Sequence, residues 1–171
     1  MPIIVPHRGT RGTGMPTLPG PLMNVLQALF HLAYGLFGER MRIQRRPLVE
    51  LETVGAKSGA RRRTVLGSFP DPFIEPAPSA ATAMNSTLVV ASNAGSARNP
   101  AWLLNLAKHP DQVWLTQGRR RIKVAPETLE GAERERAWKH VTSLAPGYAG
   151  YEQKTDRAIP IVRLRAVREE S

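Results

Sequence analysis

Residues 88–106 read LVVASNAGSARNPAWLLNL, a pattern that contains a strand end, a loop and a helix start. The apolar residues end a buried strand, the small residues form a loop, and the helix begins with Asn99 as its cap and Pro100 at its first position. The first N–H groups of a helix have no partner within it, so beside a small loop they can bind an anionic or carbonyl-rich ligand. The stretch therefore predicts a binding site.

Length and composition predict one domain with its own core. The chain has 171 residues, of which 42% are hydrophobic. It contains no cysteine, which excludes disulfides and thiolate metal sites and fits a reducing cytoplasm. The four histidines lack the spacing of metal ligands. We therefore expect a cytoplasmic protein without a metal centre.

The formal net charge of +10 favours anionic partners. The basic residues fall in separate clusters at 40–46, 57–63 and 119–123, without a helix-turn-helix, zinc-binding or RNA-recognition motif. We therefore expect no nucleic-acid partner, although a general binder of nucleic acid or anionic membranes would also account for the charge. A basic solvated surface is the simpler interpretation of the first and third clusters.

The N-terminal part divides into two segments. Residues 1–20 are rich in proline, glycine and arginine, which predicts a flexible leader without the apolar region of a secretory signal. Residues 21–46 are predicted to form a helix, because apolar residues recur at helical spacing, and a basic connector that follows it. We expect this helix to pack on the fold, and peripheral membrane contact is the alternative.

Residues 47–171 carry the predicted main domain. Residues 55–61 connect two strands as a hairpin, with glycines where a positive φ is needed. Residues 70–86 are expected to form a surface excursion. Antiparallel strands with few helices predict an α+β fold built on an open or closed barrel with flanking helices. The predicted strands cover 48–54, 63–69, 87–92, 112–116, 121–125 and 159–166, and the predicted helices cover 100–108 and 129–144.

The hairpin is the first candidate binding element. Cationic side chains on a turn with available backbone amides can hold phosphate or carboxylate groups. Alternate residues of a strand share a face, so Arg61 and Arg63 face one way and Arg62 the other. A positively charged strand edge that resists aggregation is an equally good interpretation of this run.

Polar groups near the strand end and in a later loop are further candidates. Ser92 offers a hydroxyl group, and Gly95 permits close backbone approach. The alternative interpretation is that this segment is an ordinary strand-to-helix loop without a binding role. Trp102 lies one helical turn before an asparagine, so both can line one wall, although a plain core role suits this tryptophan. Tyr148 and Tyr151 carry phenols that can donate a proton or a hydrogen bond.

Five motifs occur in a fixed order: GAKSG at 55–59 with Arg62, ASNAG at 91–95, NPAWLLNL at 99–106, PGYAGY at 146–151 and TDRAIPIV at 155–162. Together they resemble the deazaflavin-dependent nitroreductase family of actinobacteria, with matching order and spacing from about residue 48 to residue 164. The resemblance implies a split β-barrel that binds 8-hydroxy-5-deazaflavin coenzyme F-420, which carries a phosphate and an oligoglutamate tail. It also implies hydride transfer from the reduced form to a quinone, an enone or a nitroaromatic compound.

The resemblance further implies which residues form the site. Ser92, Tyr148 and Tyr151 match positions around the substrate and are the expected catalytic hydrogen-bond donors. The residues expected to bind the coenzyme are Lys57, Ser58, Gly59, Arg62, Thr64, Ser92, Asn93, Ala94, Gly95, Asn99, Pro100, Trp102 and Asn105.

The chain departs from the family pattern at a few positions. Ala145 stands where well-known nitroreductase members have a tyrosine, and Asn93 stands where they have a lysine. The acceptor pocket is therefore expected to differ, and reduction of nitro compounds does not follow. A non-catalytic deazaflavin carrier and an FMN-dependent reductase with the same barrel are the alternative functions. We expect a small-molecule partner and a monomer or homodimer.

Overall fold

The computed structural model describes residues 2–14, 28–29, 32–34, 42–43, 46–74 and 86–167. Within these residues seven strands form one sheet: β1 (Arg42–Ile43), β2 (Arg46–Val54), β3 (Arg61–Pro70), β4 (Ser86–Val90), β5 (Trp114–Gln117), β6 (Arg120–Thr128) and β7 (Ile161–Ala166). The helices that follow β4 are α1 (Ala101–Lys108), α2 (Gly131–Leu144) and α3 (Ala149–Lys154). Of these elements, only β1 and α3 have no counterpart among the predicted strands and helices.

The sheet closes into a barrel. Its strand order is β1-β2-β3-β4-β7-β6-β5, with every neighbouring pair antiparallel. β2 also pairs with β5, from Glu50 opposite Thr116 to Glu52 opposite Trp114, so β2 to β7 form a closed six-stranded barrel. Closure pairs strand edges that would otherwise be open. The predicted antiparallel barrel with flanking helices is confirmed.

Apolar side chains pack inside the barrel and under two helices. Val49 and Leu51 of β2 are fully buried, and because they are two positions apart their side chains share the face that packs on this core. Leu103 and Leu106 of α1 join the same cluster. Each fully buried side chain of this size contributes about 1.5–3 kcal/mol. A second cluster joins α2 to the barrel through Ala137, Val141, Phe69, Leu88 and Ile161.

The predicted hairpin between β2 and β3 is present. The Gly55 amide donates to the Ala60 carbonyl at 2.8 Å, and Gly59 has a φ of +66°. A side chain at such a φ is strained, so glycine suits this position. The turn also contacts α1, because the Ala56 amide donates to the Asn105 side chain at 2.9 Å.

The described part of the predicted leader, residues 2–14, lies against the barrel loops. Its amides at Gly9 and Thr13 donate to the carbonyl groups of Ala97 and Gly95, each at 2.9 Å. The composition of this segment predicted a flexible leader. Backbone hydrogen bonds to distant loops cannot be recognised from composition, so these contacts were not predicted. Residues 15–20 lie outside the described residues.

Little of the segment 21–46 is described. Residues 28–29 and 32–34 are helical, in agreement with the predicted helix. The Tyr34 hydroxyl is buried, 3.0 Å from the carbonyl oxygens of both Leu48 and Thr116. Burial raises the pKa of Tyr34 to about 12. Across the described ranges, no helix has the length and apolar character that crossing a membrane requires.

The predicted excursion at 70–86 begins at a buried ion pair. Arg163 of β7 contacts Asp71 at 2.6 Å and also reaches Glu127 and Glu133. The side chains of Arg163 and Asp71 are almost completely buried, so each depends on the other to offset the loss of water. Residues 75–85 of the excursion lie outside the described part of the chain.

Candidate functional site

A cavity of about 460 Å³ lies between β3, the loop after β4 and the start of α1. Its volume falls within the range of small-molecule sites. The wall combines an apolar strand with a polar loop, and it is formed by Thr64, Val65, Leu66, Gly67, Val90, Ser92, Asn93, Ala94, Arg98, Asn99, Pro100, Ala101, Trp102 and Tyr148. The structure thus brings eight of the expected site residues together: Thr64, Ser92, Asn93, Ala94, Asn99, Pro100, Trp102 and Tyr148.

The loop after β4 has an unusual backbone. Ser92 is in the right-handed helical region, whereas Asn93, Ala94 and Gly95 have φ values of 46°, 52° and 78°. The left-handed conformation costs a residue with a side chain about 1–2 kcal/mol. Local hydrogen bonds hold it, from the Gly95 amide to the Ser92 carbonyl and from the Ser96 amide to the Asn93 carbonyl, each 2.9 Å long.

This backbone forms a concavity for an anion. A right-handed residue followed by a left-handed one directs successive N–H groups to the same side. Among the residues that the structure describes, the backbone N–H groups of Ser92, Asn93 and Ala94 have no hydrogen-bond partner. All three residues line the cavity. The loop can therefore donate several hydrogen bonds to a phosphate or a carbonyl group.

The hairpin cations divide into two groups. Arg61 and Arg63 lie 2.8 Å and 3.5 Å from the carboxylate of Glu52. In the described part of the chain, no carboxylate lies within 4.0 Å of the cationic groups of Lys57 or Arg62, and both side chains are exposed. The predicted alternation of the three arginines is confirmed. Among the described residues of the hairpin, only Lys57 and Arg62 have charges without a carboxylate partner, so these charges are available to an anionic ligand.

One face of β3 connects the hairpin to the cavity. Arg62 pairs with Thr53 and Thr64 pairs with Leu51, so the side chains of Arg62 and Thr64 share a face. Positions two apart in a strand are separated by about 7 Å. The cavity wall includes Thr64 but not Lys57, Ser58, Gly59 or Arg62. The hairpin cations therefore lie near the cavity and not in its wall.

Three other expected residues are not among the described residues that line the cavity. Asn105 is buried, and its side-chain amide donates to the Thr53 hydroxyl at 3.0 Å while its oxygen accepts from the hairpin. Asn105 therefore fixes the hairpin to α1. Gly95 lies one residue beyond the loop residues that line the cavity. Tyr151 packs edge-on against Tyr148 with ring centroids 5.2 Å apart.

Asn99 does not cap the helix as expected. α1 begins at Ala101, with Pro100 as the N-cap residue and no side-chain capping hydrogen bond. The Asn99 oxygen instead accepts from Arg157 at 3.0 Å, and its amide donates to the carbonyl of Pro6. The capping prediction is wrong because a buried guanidinium and the N-terminal segment already use both ends of this side chain.

Two arginines near the loop were not predicted as site residues. Arg98 lines the cavity and is exposed. Arg157 is buried, and burial lowers its pKa. Its guanidinium donates to oxygen atoms of Ala91, Ser92, Ser96, Asn99 and Ala158. Within the described residues no carboxylate lies within 4.0 Å of it, so a positive charge remains beneath the loop. Both arginines fall outside the basic clusters, and the family-like motif at 155–162 was the only sequence signal for Arg157.

Residues 31–166 match the F420H2-dependent quinone reductase family. This range is most of the chain and contains the cavity and the complete barrel. The chain belongs to this family. The resemblance in the sequence motifs is confirmed, and the chain is an oxidoreductase that transfers hydride from F420H2, the reduced form of coenzyme F-420, to a quinone.

Individual relatives agree with this membership. The F420H2-dependent quinone reductase Rv1261c of Mycobacterium tuberculosis is 30% identical over 146 residues, which cover 84% of this chain and 89% of that one. A solved structure titled as an F420-H2-dependent reductase (FDR-A) has a TM-score of 0.57 and 32% identity, and the match covers 70% of this chain and 95% of that one. Another, titled as a domain-swapped dimer, has a TM-score of 0.59 and 28% identity over 85% of this chain and all of that one.

Proposed function

We propose that the cavity holds coenzyme F-420 and the quinone together in this F420H2-dependent quinone reductase. The observation that carries the proposal is that, among the described residues, the N–H groups of Ser92, Asn93 and Ala94 have no hydrogen-bond partner and lie beside the cavity of about 460 Å³. These groups suit the coenzyme's phosphate, because backbone N–H groups in a concavity bind anions. Lys57 and Arg62 suit its acidic tail, since no carboxylate of the described residues lies within 4.0 Å of either cationic group.

The apolar part of the cavity wall orients the reactants in this proposal. Leu66 and Val90 line the cavity together with Trp102, which is 5% exposed. Trp102 belongs both to this wall and to the barrel core, so its position is determined by packing. A rigid wall favours alignment of two planar reactants.

When bound, the reduced deazaflavin supplies a hydride in a two-electron step. A quinone that accepts a hydride develops negative charge on one oxygen, and that oxygen takes a proton to give the hydroquinone. From the hydroxyl-bearing residues of the wall, we assign Ser92 and Tyr148 as hydrogen-bond donors to this oxygen. A donor aimed at a developing oxyanion typically accelerates a reaction by about 10²–10³. The proton comes from the Tyr148 phenol or from water.

Tyr151 acts through Tyr148 in this proposal. The Tyr148 ring is held edge-on between Phe69, at 5.4 Å, and Tyr151, at 5.2 Å. The Lys154 ammonium lies 5.6 Å from the Tyr151 ring centroid. A phenylalanine at position 151 retains the ring contact and loses only the hydroxyl group. Tyr151→Phe is therefore a matched control for Tyr148→Phe.

The test combines binding and turnover. Oxidised coenzyme F-420 is titrated by fluorescence, and oxidation of F420H2 by menadione is followed by absorbance. We expect Ser92→Ala and Tyr148→Phe each to reduce turnover by about 10²-fold while binding changes little, because a donor to the developing charge acts on the transition state. Tyr151→Phe should retain most of the turnover. Full turnover in both Ser92→Ala and Tyr148→Phe would show that the assigned roles are wrong.

The same titrations separate the alternative functions. Tight coenzyme binding without oxidation of F420H2 by menadione, a cyclohexenone or a nitroaromatic compound would favour a carrier. A yellow purified protein that retains FMN would favour an FMN-dependent reductase. The family membership favours an F420H2-dependent reductase over both alternatives.

The oligomeric state and location stay predictions. A solved relative titled as a domain-swapped dimer favours a homodimer over a monomer for this chain, and light scattering measures the mass directly. Peripheral membrane contact through residues 21–46 is tested by sedimentation with anionic lipid vesicles. Cytoplasmic location is tested by cell fractionation.

A further inference from the structure

The residues from 2 to 14, called here the N-terminal arm, lie outside the part of the chain that matches the family. They nevertheless contact the loop that supplies the anion-binding N–H groups. The Gly9 amide donates to the Ala97 carbonyl and the Thr13 amide to the Gly95 carbonyl, each at 2.9 Å. The contact therefore runs along the backbone of the loop, immediately after the three unpartnered N–H groups.

The arm is also attached to the turn before β7. Asp156 accepts hydrogen bonds from the Thr10 amide at 2.9 Å, from the Arg11 amide at 3.0 Å and from the Thr10 hydroxyl. The Thr155 hydroxyl donates to the Arg11 carbonyl at 2.9 Å. Asp156 directly precedes Arg157, whose guanidinium supports the other side of the loop through the Ala91 and Ser92 carbonyls.

Two arm glycines show how closely the arm approaches. A Cβ atom on Gly12 would lie 2.1 Å from the Ala97 backbone nitrogen and 2.6 Å from the Ser96 carbonyl carbon. These are backbone atoms, so the clash cannot be relieved by rotation of a side chain. A Cβ atom on Gly14 would meet no atom of the described residues within 4 Å. The chain therefore offers one glycine whose substitution displaces the arm and another, two residues away, whose substitution does not.

The loop needs such support. Asn93 and Ala94 both have a positive φ, a conformation that persists only where surrounding contacts impose it. Within the loop, the hydrogen bonds that impose it are short-range and few. The arm and Arg157 add contacts from two distant parts of the chain. Removing either support allows the loop to relax into conformations in which its N–H groups no longer converge.

We propose that the N-terminal arm is a positioning element for the coenzyme, because it holds the loop after β4 in the conformation that binds an anion. This inference rests on the proposed function of that loop. None of the arm's hydrogen bonds uses the N–H groups of Ser92, Asn93 or Ala94. The arm thus acts on affinity through preorganisation, which lowers the cost of ordering a binding loop.

The test uses the full chain with Gly12→Ala and, as the matched control, Gly14→Ala. We expect Gly12→Ala to raise the Kd for oxidised F-420 about tenfold, whereas Gly14→Ala stays within about twofold of the unchanged protein. Without coenzyme, hydrogen exchange at the hydrogen-bonded amides of Gly95 and Ser96 should become faster in Gly12→Ala and not in Gly14→Ala. If Gly12→Ala does not fold, Asp156→Ala takes its place as the test variant, because it detaches the arm through a substitution at an exposed position.

The outcomes separate this inference from the proposed function. If the unchanged protein does not bind F-420, the proposed function is wrong and the inference falls with it. If the unchanged protein binds and the substitution speeds exchange without changing the Kd, the arm is only a structural attachment and the inference alone is wrong. Unchanged exchange at the Gly95 and Ser96 amides in both Gly12→Ala and Asp156→Ala would show that the arm does not hold the loop.

Discussion

Arg62 and Arg63 are neighbours in β3 that provide a matched test of the proposed tail-binding site. The Arg63 guanidinium lies 3.5 Å from the Glu52 carboxylate and 3.7 Å from that of Glu50. Among the described residues, Arg62 has no carboxylate within 4.0 Å. Both side chains are exposed. Either alanine substitution removes one positive charge from the same strand, so a difference between the two variants reports direct contact with the coenzyme.

The expected magnitude follows from exposure. Exposed ion pairs contribute about 0–1 kcal/mol, and hydrogen bonds to charged groups contribute about 1.5–3 kcal/mol. An exposed arginine with a forked contact to a carboxylate belongs near the boundary of these ranges, at about 1.4 kcal/mol, which corresponds to a tenfold change in Kd. We therefore expect Arg62→Ala to raise the Kd for oxidised F-420 about tenfold and Arg63→Ala to raise it less than about twofold.

Ionic strength provides a second measurement on the same variants. The Debye length is about 10 Å at 0.1 M salt and about 3 Å at 1 M. The unchanged protein should lose affinity as salt rises, and Arg62→Ala should lose less because one of its contacts is already absent. The two Kd values should therefore converge at high salt, whereas the curve for Arg63→Ala should follow that of the unchanged protein.

The assay is a fluorescence titration of oxidised F-420 at low and high salt, with thermal unfolding as the control for folding. Loss of Arg63 leaves Glu52 paired with Arg61 and Arg121, at 2.8 Å and 2.9 Å, so both variants should keep a similar melting temperature. Equal losses of affinity in the two variants, or a larger loss in Arg63→Ala, would refute the assignment of Arg62 to the coenzyme tail.

Three further predictions concern residues that support the site. Arg157→Lys should lower the free energy of unfolding by at least about 2 kcal/mol in urea titrations and weaken F-420 binding, because a lysine cannot reach all the oxygen atoms that the fork contacts. Asn105→Ala should cost about 1–2 kcal/mol and raise the Kd several-fold while turnover at saturation persists, since only the hairpin is released. Stability should fall between pH 10 and 12 because the Tyr34 phenol ionises at about 10 when unfolded and at about 12 when folded, and Tyr34→Phe should remove part of this fall in urea titrations at pH 9 and 11.5.

The barrel and half of the site follow from local patterns. Alternation in β2 and β3 and the glycines of the connecting turn contain enough information to predict the hairpin. Small residues between a buried strand and a helix likewise predict the loop at Ser92, without any knowledge of the residues that contact it in the fold. These features involve residues close together in the chain, so reading the sequence recovers them.

The supports of the loop could not be predicted because they depend on contacts between distant residues. Arg157 meets Ser92 across 65 positions of sequence, and Asn99 meets Pro6 across 93. An asparagine before a proline and a helix is an ordinary capping pattern, and nothing local shows that a buried guanidinium occupies it. The arm is a similar case, since its proline- and glycine-rich composition suits both a free segment and one that packs closely on backbone.

The register of the first hairpin decides which arginines can serve the coenzyme. Glu52 lies opposite Arg63, and Thr53 lies opposite Arg62. A slip of one residue would exchange the faces of β3, so that Arg62 would meet the carboxylates and its two neighbours would lose them. The turn prevents this slip through its hydrogen bond from Gly55 to Ala60. Counting the charges at 57–63 therefore does not locate the anion site. In another register the same sequence would present different arginines to the ligand.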